Sequence, residues 1–308
     1  MNSAHGDRSH QGGKGTTVAY LKGHGTENDF VILPDPDNEL DLGPAVVAAL
    51  CDRRAGIGGD GVLHVVRSAA HPEAAAMADR AEWFMDYRNG DGSIAEMCGN
   101  GVRVFARYLQ RAGLIGAGDL AVATRGGVKS VHIAKDGSEP LSGDITVGMG
   151  RAVLPEGEVT VGVGAREWPA RNVGMPNPHA VAFVEDLDHA GDLYTAPRFA
   201  PAAAYPRGVN VEFVVDRGPS HVALRVHERG AGETRSCGTG ACAVAVAAAR
   251  RDGVDPARTG TPATYTVDLP GGRLVITEHP DGEVEMTGGA VIVAEGEIDS
   301  AWFETLNP

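Results

Sequence analysis

Short apolar runs broken by Gly, Pro, Asn and Asp dominate this chain, and sustained helical periodicity is rare. DFVILP (29–34), DGVLHVV (60–66), AEWFMDYRN (81–89), DLAVAT (119–124), VKSVHIA (128–134) and DITVGM (144–149) predict strands with tight connections. So do HAVAFVED (179–186), VNVEFVVD (209–216), HVALRVHER (221–229), TYTVDL (264–269), GRLVITE (272–278) and EVEMTG (283–288). Three segments carry a helical apolar pattern: GPAVVAALCDRR (43–54), GNGVRVFARYLQRAG (99–113) and GTGACAVAVAAARRDG (238–253). SAAHPEAAAMADRAE (68–82) reads as an Ala-rich surface insertion between two strands. The fold class is therefore α+β, strand-rich with a few buried helices.

The order of features repeats. GTENDFVIL is followed by strands, then NGDGSIAEMCGNG, a helix and more strands. GMPNPHAVAFV is followed by strands, then RGAGETRSCGTGA, a helix and strands again. Asn28 and Asn177 hold matching places before strands, and Cys98 and Cys237, 139 residues apart, hold matching places before helices. Self-similarity at this spacing predicts two related domains rather than a solenoid. A boundary falls near residue 148, and two like domains facing each other would set the two cysteines across one cleft.

Composition narrows the function classes. The 308 residues carry a formal charge of −14 with no basic run, which argues against a nucleic-acid partner. No stretch approaches the apolar length of a membrane span. Residues 1–17 are polar and Gly-rich without an apolar core, so they read as a disordered lead-in rather than a secretory signal, and the expected location is the cytoplasm. Four cysteines make no disulfide scaffold. None of the four lysines, Lys14, Lys22, Lys129 and Lys135, sits in a context that points to a pyridoxal-phosphate Schiff base. No spacing marks a metal site.

The chemistry concentrates at the two Cys-Gly-polar-Gly devices. A thiol just ahead of a helix meets the positive end of the helix dipole, which lowers its pKa, while the glycines let backbone N–H groups approach a carboxylate. Either device alone reads better as a buried structural cysteine with a Gly-rich helix start; their repetition favours function. Cys51 and Cys242 lie within apolar helical stretches and read as packed core thiols. Two opposed thiols beside anion nests suit proton abstraction from one face of an amino-acid α-carbon and reprotonation on the other, a two-base racemase or epimerase. A cysteine peptidase would use one thiol with a His, and a redox protein joining Cys98 to Cys237 would leave the anion nests unused.

GTENDFVIL, GIGGDG, NGDGSIAEMCGNGVRVFARYL, MPNPHAV, GVNVEF and ERGAGETRSCGTGACA, in this order from about residue 18 to the end, resemble the diaminopimelate epimerase family. The resemblance implies two pseudo-symmetric α/β domains, each a curled, mostly antiparallel sheet around a central helix. Residues 18–148 with 287–308 would form the first, completed by GGAVIVAEGEI, and 149–286 the second. It implies cofactor-independent epimerisation of LL-2,6-diaminopimelate to the meso isomer by Cys98 and Cys237, assisted by His179 and Glu228, with no metal. Gly99, Asn100, Gly238 and Thr239 would meet the reacting end of the substrate. Asn89, Asn177, Asn210 and Arg229 would hold the distal end, with Glu228 near its ammonium and Asn28 lining the site. It also implies a homodimer. Pro176 stands where the family often has Gly, and Gly61 where some members place a substrate-contacting Gln, so Gly61 receives no contact. Within the same fold, a proline or hydroxyproline racemase would lack the distal-end set of Arg229 and Asn210, and a phenazine-pathway isomerase would not need both thiols. For each lone Asn the local alternative is a turn residue, for Arg229 a surface salt bridge to Glu228 or Glu233, and for His179 a structural cap.

Overall fold

The computed structural model describes residues 17–135 and 143–306. The lead-in predicted over 1–17 therefore lies, apart from Thr17, outside the described residues. In the first half, β1 (Val18–Gly25), β2 (Asn28–Pro34), β3 (Gly61–Arg67) and β4 (Trp83–Asn89) precede the long central helix, and β5 (Gly118–Thr124), β6 (Gly127–Ile133) and β7 (Ile145–Arg151) follow it. A short helix, α1 (Pro44–Cys51), links β2 to β3, and the central helix is α2 (Gly99–Arg111). The second half runs β8 (Val159–Val163), β9 (Arg166–Gly174), β10 (Pro178–Phe183), β11 (Arg198–Ala200), β12 (Asn210–Gly218), β13 (His221–Glu228) and β14 (Gly232–Thr234). Then come α3 (Gly238–Arg251), β15 (Ala263–Leu269), β16 (Gly272–Glu278) and β17 (Glu283–Gly288), and finally β18 (Val291–Ile298).

The pairing order repeats strand for strand. From β18 the first half proceeds antiparallel to β1 and β2, parallel to β3, antiparallel to β4, parallel to β5, then antiparallel through β6 and β7. From β8 the second half proceeds antiparallel to β9 and β10, parallel to β12, antiparallel to β13, parallel to β15, then antiparallel through β16 and β17. The halves join where β7 and β17, equivalent strands, pair antiparallel with each other, so the sheet is continuous. The last strand, β18, returns to β1 in the first half.

Each half wraps its sheet around one helix. α2 packs against β1, β2, β3, β4, β6, β7 and β18, and eleven of its thirteen residues are buried. α3 packs against β9, β10, β12, β13, β15, β16 and β17, with eleven of fourteen residues buried. A helix enclosed this way needs apolar residues around most of its circumference. The Ala/Val run of α3 supplies that directly, whereas α2 also buries Asn100, Arg103 and Arg107. Segment 68–82 does lie between β3 and β4, as two short 3₁₀ turns, but Ser68, Ala74 and Ala81 are buried, the alanines beside Phe84 and Ala123. Among the described residues no helix is long and apolar enough to cross a membrane.

Candidate active site

The strands of each half carry their helix to the same place, so the N-termini of α2 and α3 meet. Cys98 and Cys237 occupy the N-cap positions, both with extended backbone. Each sulfur accepts from the backbone N–H three residues on: Gly101 N to Cys98 Sγ at 3.5 Å and Gly240 N to Cys237 Sγ at 3.3 Å. Helices normally place Ser, Thr, Asp or Asn here; sulfur is a weaker acceptor. Asn100 Nδ2, in the first turn of α2, reaches across to Ser236, bonding its Oγ at 3.1 Å and its carbonyl at 3.4 Å. It also donates to Asn28 Oδ1 at 3.3 Å, and Cys98 Sγ donates to the same oxygen at 3.5 Å.

Glycines are what let the two ends close up. A Cβ on Gly238 would stand 3.1 Å from Met286 Sδ and 3.4 Å from Asn100 Oδ1. One on Gly240 would stand 2.8 Å from Glu212 Oε1. Thr239 Oγ1 lies 3.5 Å from Cys237 Sγ. Gly99 faces the side chains of Met286 and Met149, which floor this end of the helix.

Around the thiols the two halves differ. His179 is fully buried on β10, with Nδ1 2.6 Å from Glu212 Oε1 and Nε2 3.0 Å from Asn177 Oδ1. Glu228, half-buried at the end of β13, accepts from Thr234 Oγ1. Burial pushes the Glu228 carboxyl up, against hydrogen bonds from Thr234 and Cys237. Asn28 is held from behind, Nδ2 donating to Asp60 Oδ2 at 2.8 Å.

The thiols themselves differ from the sequence expectation. Burial pushes Cys98 up to about 11 and Cys237 well above its ordinary value; the helix N–H groups pull both down and lose. The dipole argument took account of the charge at the helix end but not of the low dielectric into which the fold places it. All four cysteines are free, and Cys51 and Cys242 are buried in the core.

The residues assigned to the distal end lie on the second half's side, with one exception. Asn210, buried at the start of β12, sits in register with His179 and accepts from Arg229 N at 2.9 Å. The Arg229 side chain is exposed, and Nη1 donates to Arg207 O at 3.2 Å. The alternative salt bridges are absent: Glu233 pairs with Arg225, and no carboxylate of the described residues lies within ion-pair reach of Arg229. Asn89, on the first half's side, donates to Ser93 Oγ at 3.0 Å and so closes its own turn. Pro176 is exposed between Met175 and Asn177, whose N–H and carbonyl bond each other at 2.9 Å. Gly61 has no room for a side chain, since a Cβ would lie 2.4 Å from Arg88 O.

Sequence reasoning missed Glu212, Ser236, Thr26 and Arg103. Glu212 lay within the quoted GVNVEF run, but as a mid-strand acid it reads as solvent-facing until His179 is seen opposite it.

A family model described as diaminopimelate epimerase matches residues 20–155 and 171–293. A Streptomyces coelicolor protein named diaminopimelate epimerase is 80% identical over 289 residues, covering 94% of this chain and 98% of the relative. One from Thermobifida fusca is 50% identical over 286 residues, covering 91% and 98%. A Bacillus anthracis phenazine biosynthesis protein of the PhzF family has a similar fold, with a TM-score of 0.69 at 15% identity over 92% of this chain and 99% of that one. So does a hydroxyproline epimerase from Agrobacterium vitis, with a TM-score of 0.65 at 13% identity over 92% of each chain. At such identities the structural likeness speaks for the fold, whereas the sequence matches run nearly end to end. This chain belongs to the diaminopimelate epimerase family.

Proposed function

We propose that this chain interconverts LL-2,6-diaminopimelate and its meso isomer by a two-base mechanism at Cys98 and Cys237. The observation that carries the assignment is the meeting of two cysteine-capped helix N-termini, tied by Asn100 and Ser236. One thiolate takes the α-proton as the C–H bond breaks, and its electron pair spreads onto the adjacent carboxylate. The opposite thiol then gives its proton to the other face of the carbon. The sites exchange protonation states in the reverse direction, and no redox partner is needed.

The N–H groups at Gly99, Asn100, Gly238 and Thr239 would receive the carboxylate at the reacting end, where their fixed dipoles act on developing charge without reorganising. Arg229, with no carboxylate partner among the described residues, would clamp the distal carboxylate together with Asn210, Asn177 and Asn89. Glu228 would face the distal ammonium, and Asn28 would steady Cys98. His179, buried against Glu212, would assist proton movement on the Cys237 side. The exposed apolar residues Val291 and Val293 on the edge strand β18 support a homodimer, and a cytoplasmic location accords with free thiols.

The test is to incubate reduced protein with LL-diaminopimelate in deuterium oxide and follow the α-proton by NMR. Loss of that signal with appearance of the meso isomer is expected. Retention of both the proton and the LL configuration would sink the assignment.

A further inference from the structure

GIGGDG (56–61) is the one motif of the resemblance to which the scheme above gives no task. Its glycines answer to crowding: Gly58 has a φ of 83°, and a Cβ at Gly56 or Gly61 would strike the carbonyl of Ala49 or Arg88. Backbone packed this closely delivers one polar side chain, Asp60, to the mouth of three strands. Asp60 N donates to Asp29 O on β2, and Asp60 O accepts from Gly90 N just past β4, each at 2.8 Å. The carboxylate is engaged at both oxygens. Oδ2 accepts from Asn28 Nδ2 at 2.8 Å and from Asp29 N at 3.2 Å, while Oδ1 accepts from Arg53 Nη2 at 2.7 Å. Arg53 also forks onto Asp29 at 2.6 and 2.9 Å, and Lys22 closes the far side of Asp29 at 2.5 Å. The Asp60 side chain is 45% exposed, and an ion pair so placed adds little to stability.

The consequence of this bracing falls on an amide. The two ends of an asparagine side chain are nearly equal in shape, so its neighbours decide which way round it sits. A carboxylate only accepts; Asp60 therefore takes the Nδ2 end of Asn28 and turns Oδ1 toward the site. There Oδ1 accepts from Cys98 Sγ at 3.5 Å and from Asn100 Nδ2 at 3.3 Å. Asn100 Nδ2 also reaches the Ser236 carbonyl at 3.4 Å, a second group that only accepts. The row Asp60–Asn28–Asn100–Ser236 is thus fixed in polarity from both ends as it crosses between the halves. The matching asparagine of the second half meets a different group: Asn177 Oδ1 lies 3.0 Å from His179 Nε2.

We propose that Asp60 is a positioning residue for Cys98: its carboxylate, braced by Arg53, keeps the Asn28 oxygen against the sulfur and so holds the thiol in one orientation. The inference rests on the two-base reading and deepens it. A sulfur held between one donor, Gly101 N, and one acceptor, Asn28 Oδ1, has a fixed place relative to the carbon it must reach.

The test is infrared spectroscopy of the substrate-free full chain in the sulfhydryl stretching region. The bands are assigned by their loss in Cys98→Ala and Cys242→Ala. In the unmodified chain the Cys98 band is expected at the lower wavenumber of a hydrogen-bonded thiol. Asp60→Asn keeps the size but leaves one oxygen, which Arg53 claims, so an NH2 group faces Asn28 and drives its amide round. The Cys98 band is then expected to rise while the Cys242 band holds. With it, kcat/KM for LL-diaminopimelate should fall about 10- to 100-fold. An unbonded Cys98 thiol in the unmodified chain overturns the proposal, even if Asp60→Asn fails to fold. So does a folded Asp60→Asn whose Cys98 band or kcat/KM is unchanged, or whose Cys242 band moves equally. Deuterium exchange by the unmodified chain is run alongside: its absence overturns the epimerase reading instead.

Discussion

At the scale of the residue, Cys98 and Cys237 stand where a helix is better served by Ser or Asp. Cys98→Ser and Cys237→Ser are therefore expected to separate activity from stability. Each should lower epimerisation by about 10²–10⁴-fold, because each thiol serves one face, while the melting temperature holds or rises with the better N-cap. Near-normal turnover in either variant would contradict the two-base scheme. The raised thiols also fix a pH direction. The pair must lose one proton to work, so kcat/KM is expected to climb through neutral pH toward the alkaline range, titrating as a coupled pair. A flat profile between pH 6 and roughly 9 would count against it. The two thiols and their glycines were legible in the sequence because their signal is local and duplicated. Arg103 was not: within GNGVRVFARYLQR an arginine reads as the polar face of a helix, and only a sheet curled round that helix buries it.

At the scale of the element, two features tie strands to the site. The β1–β2 hairpin turns on Thr26 and Glu27, both at positive φ, 50° and 61°, where a β-branched residue is strained. Its tip is held from the other half, by Thr26 Oγ1 to Ser236 Oγ at 2.5 Å and by an ion pair between Glu27 and Arg235. A strained turn next to Asn28 thus marks where the halves touch. The second feature is a buried ladder: His64 on β3 lies between Asp86 on β4, at 3.1 Å, and Asp35, at 2.8 Å. Burial opposes charge on His64, but hydrogen bonds to the two aspartates outweigh it and raise its pKa above 6.5. Asp86 is likewise disfavoured by burial, yet His64, Arg88 and Arg125 hold its carboxyl well below the usual range. The His64 contribution is complete below its unfolded pKa and fades as pH rises through the folded one. The Asp86 contribution is complete above its unfolded pKa and fades as pH falls through the folded one. The ladder is thus fullest between about pH 4 and 6.5. Melting curves of His64→Gln against the unmodified chain should differ most in that window and converge at higher pH; a constant gap would refute the assignment. Gly61→Ala, which forces a Cβ onto the Arg88 carbonyl, should cost about 1–3 kcal/mol in urea unfolding. β2, β3, β4, β10 and β12 were readable because their apolar runs are buried on both faces, and β7, β15, β16 and β17 because buried positions alternate with more exposed ones. β1 and β9 were not, since Lys22, His24, Arg166, Glu167 and Arg171 interrupt the pattern, and β8 is only five residues long.

At the scale of the whole molecule, the repeat read from motif order reappears as a repeat of pairing, which no single motif encodes. What motif order left out is the seam, where β7 and β17 turn two curled sheets into one. Pairing is a long-range choice, and an apolar strand sequence does not name its neighbour. The return of β18 to β1 has a further consequence for how the chain is made. The second half is contiguous in sequence, from β8 to β17, whereas β1 has its outer neighbour only when β18 leaves the ribosome. Domains usually fold in the order of synthesis. Here we expect the reverse: on chains stalled before β18 emerges, protease resistance should appear in the second half while the first is still cut. The part of the enzyme translated first would be the last to become whole.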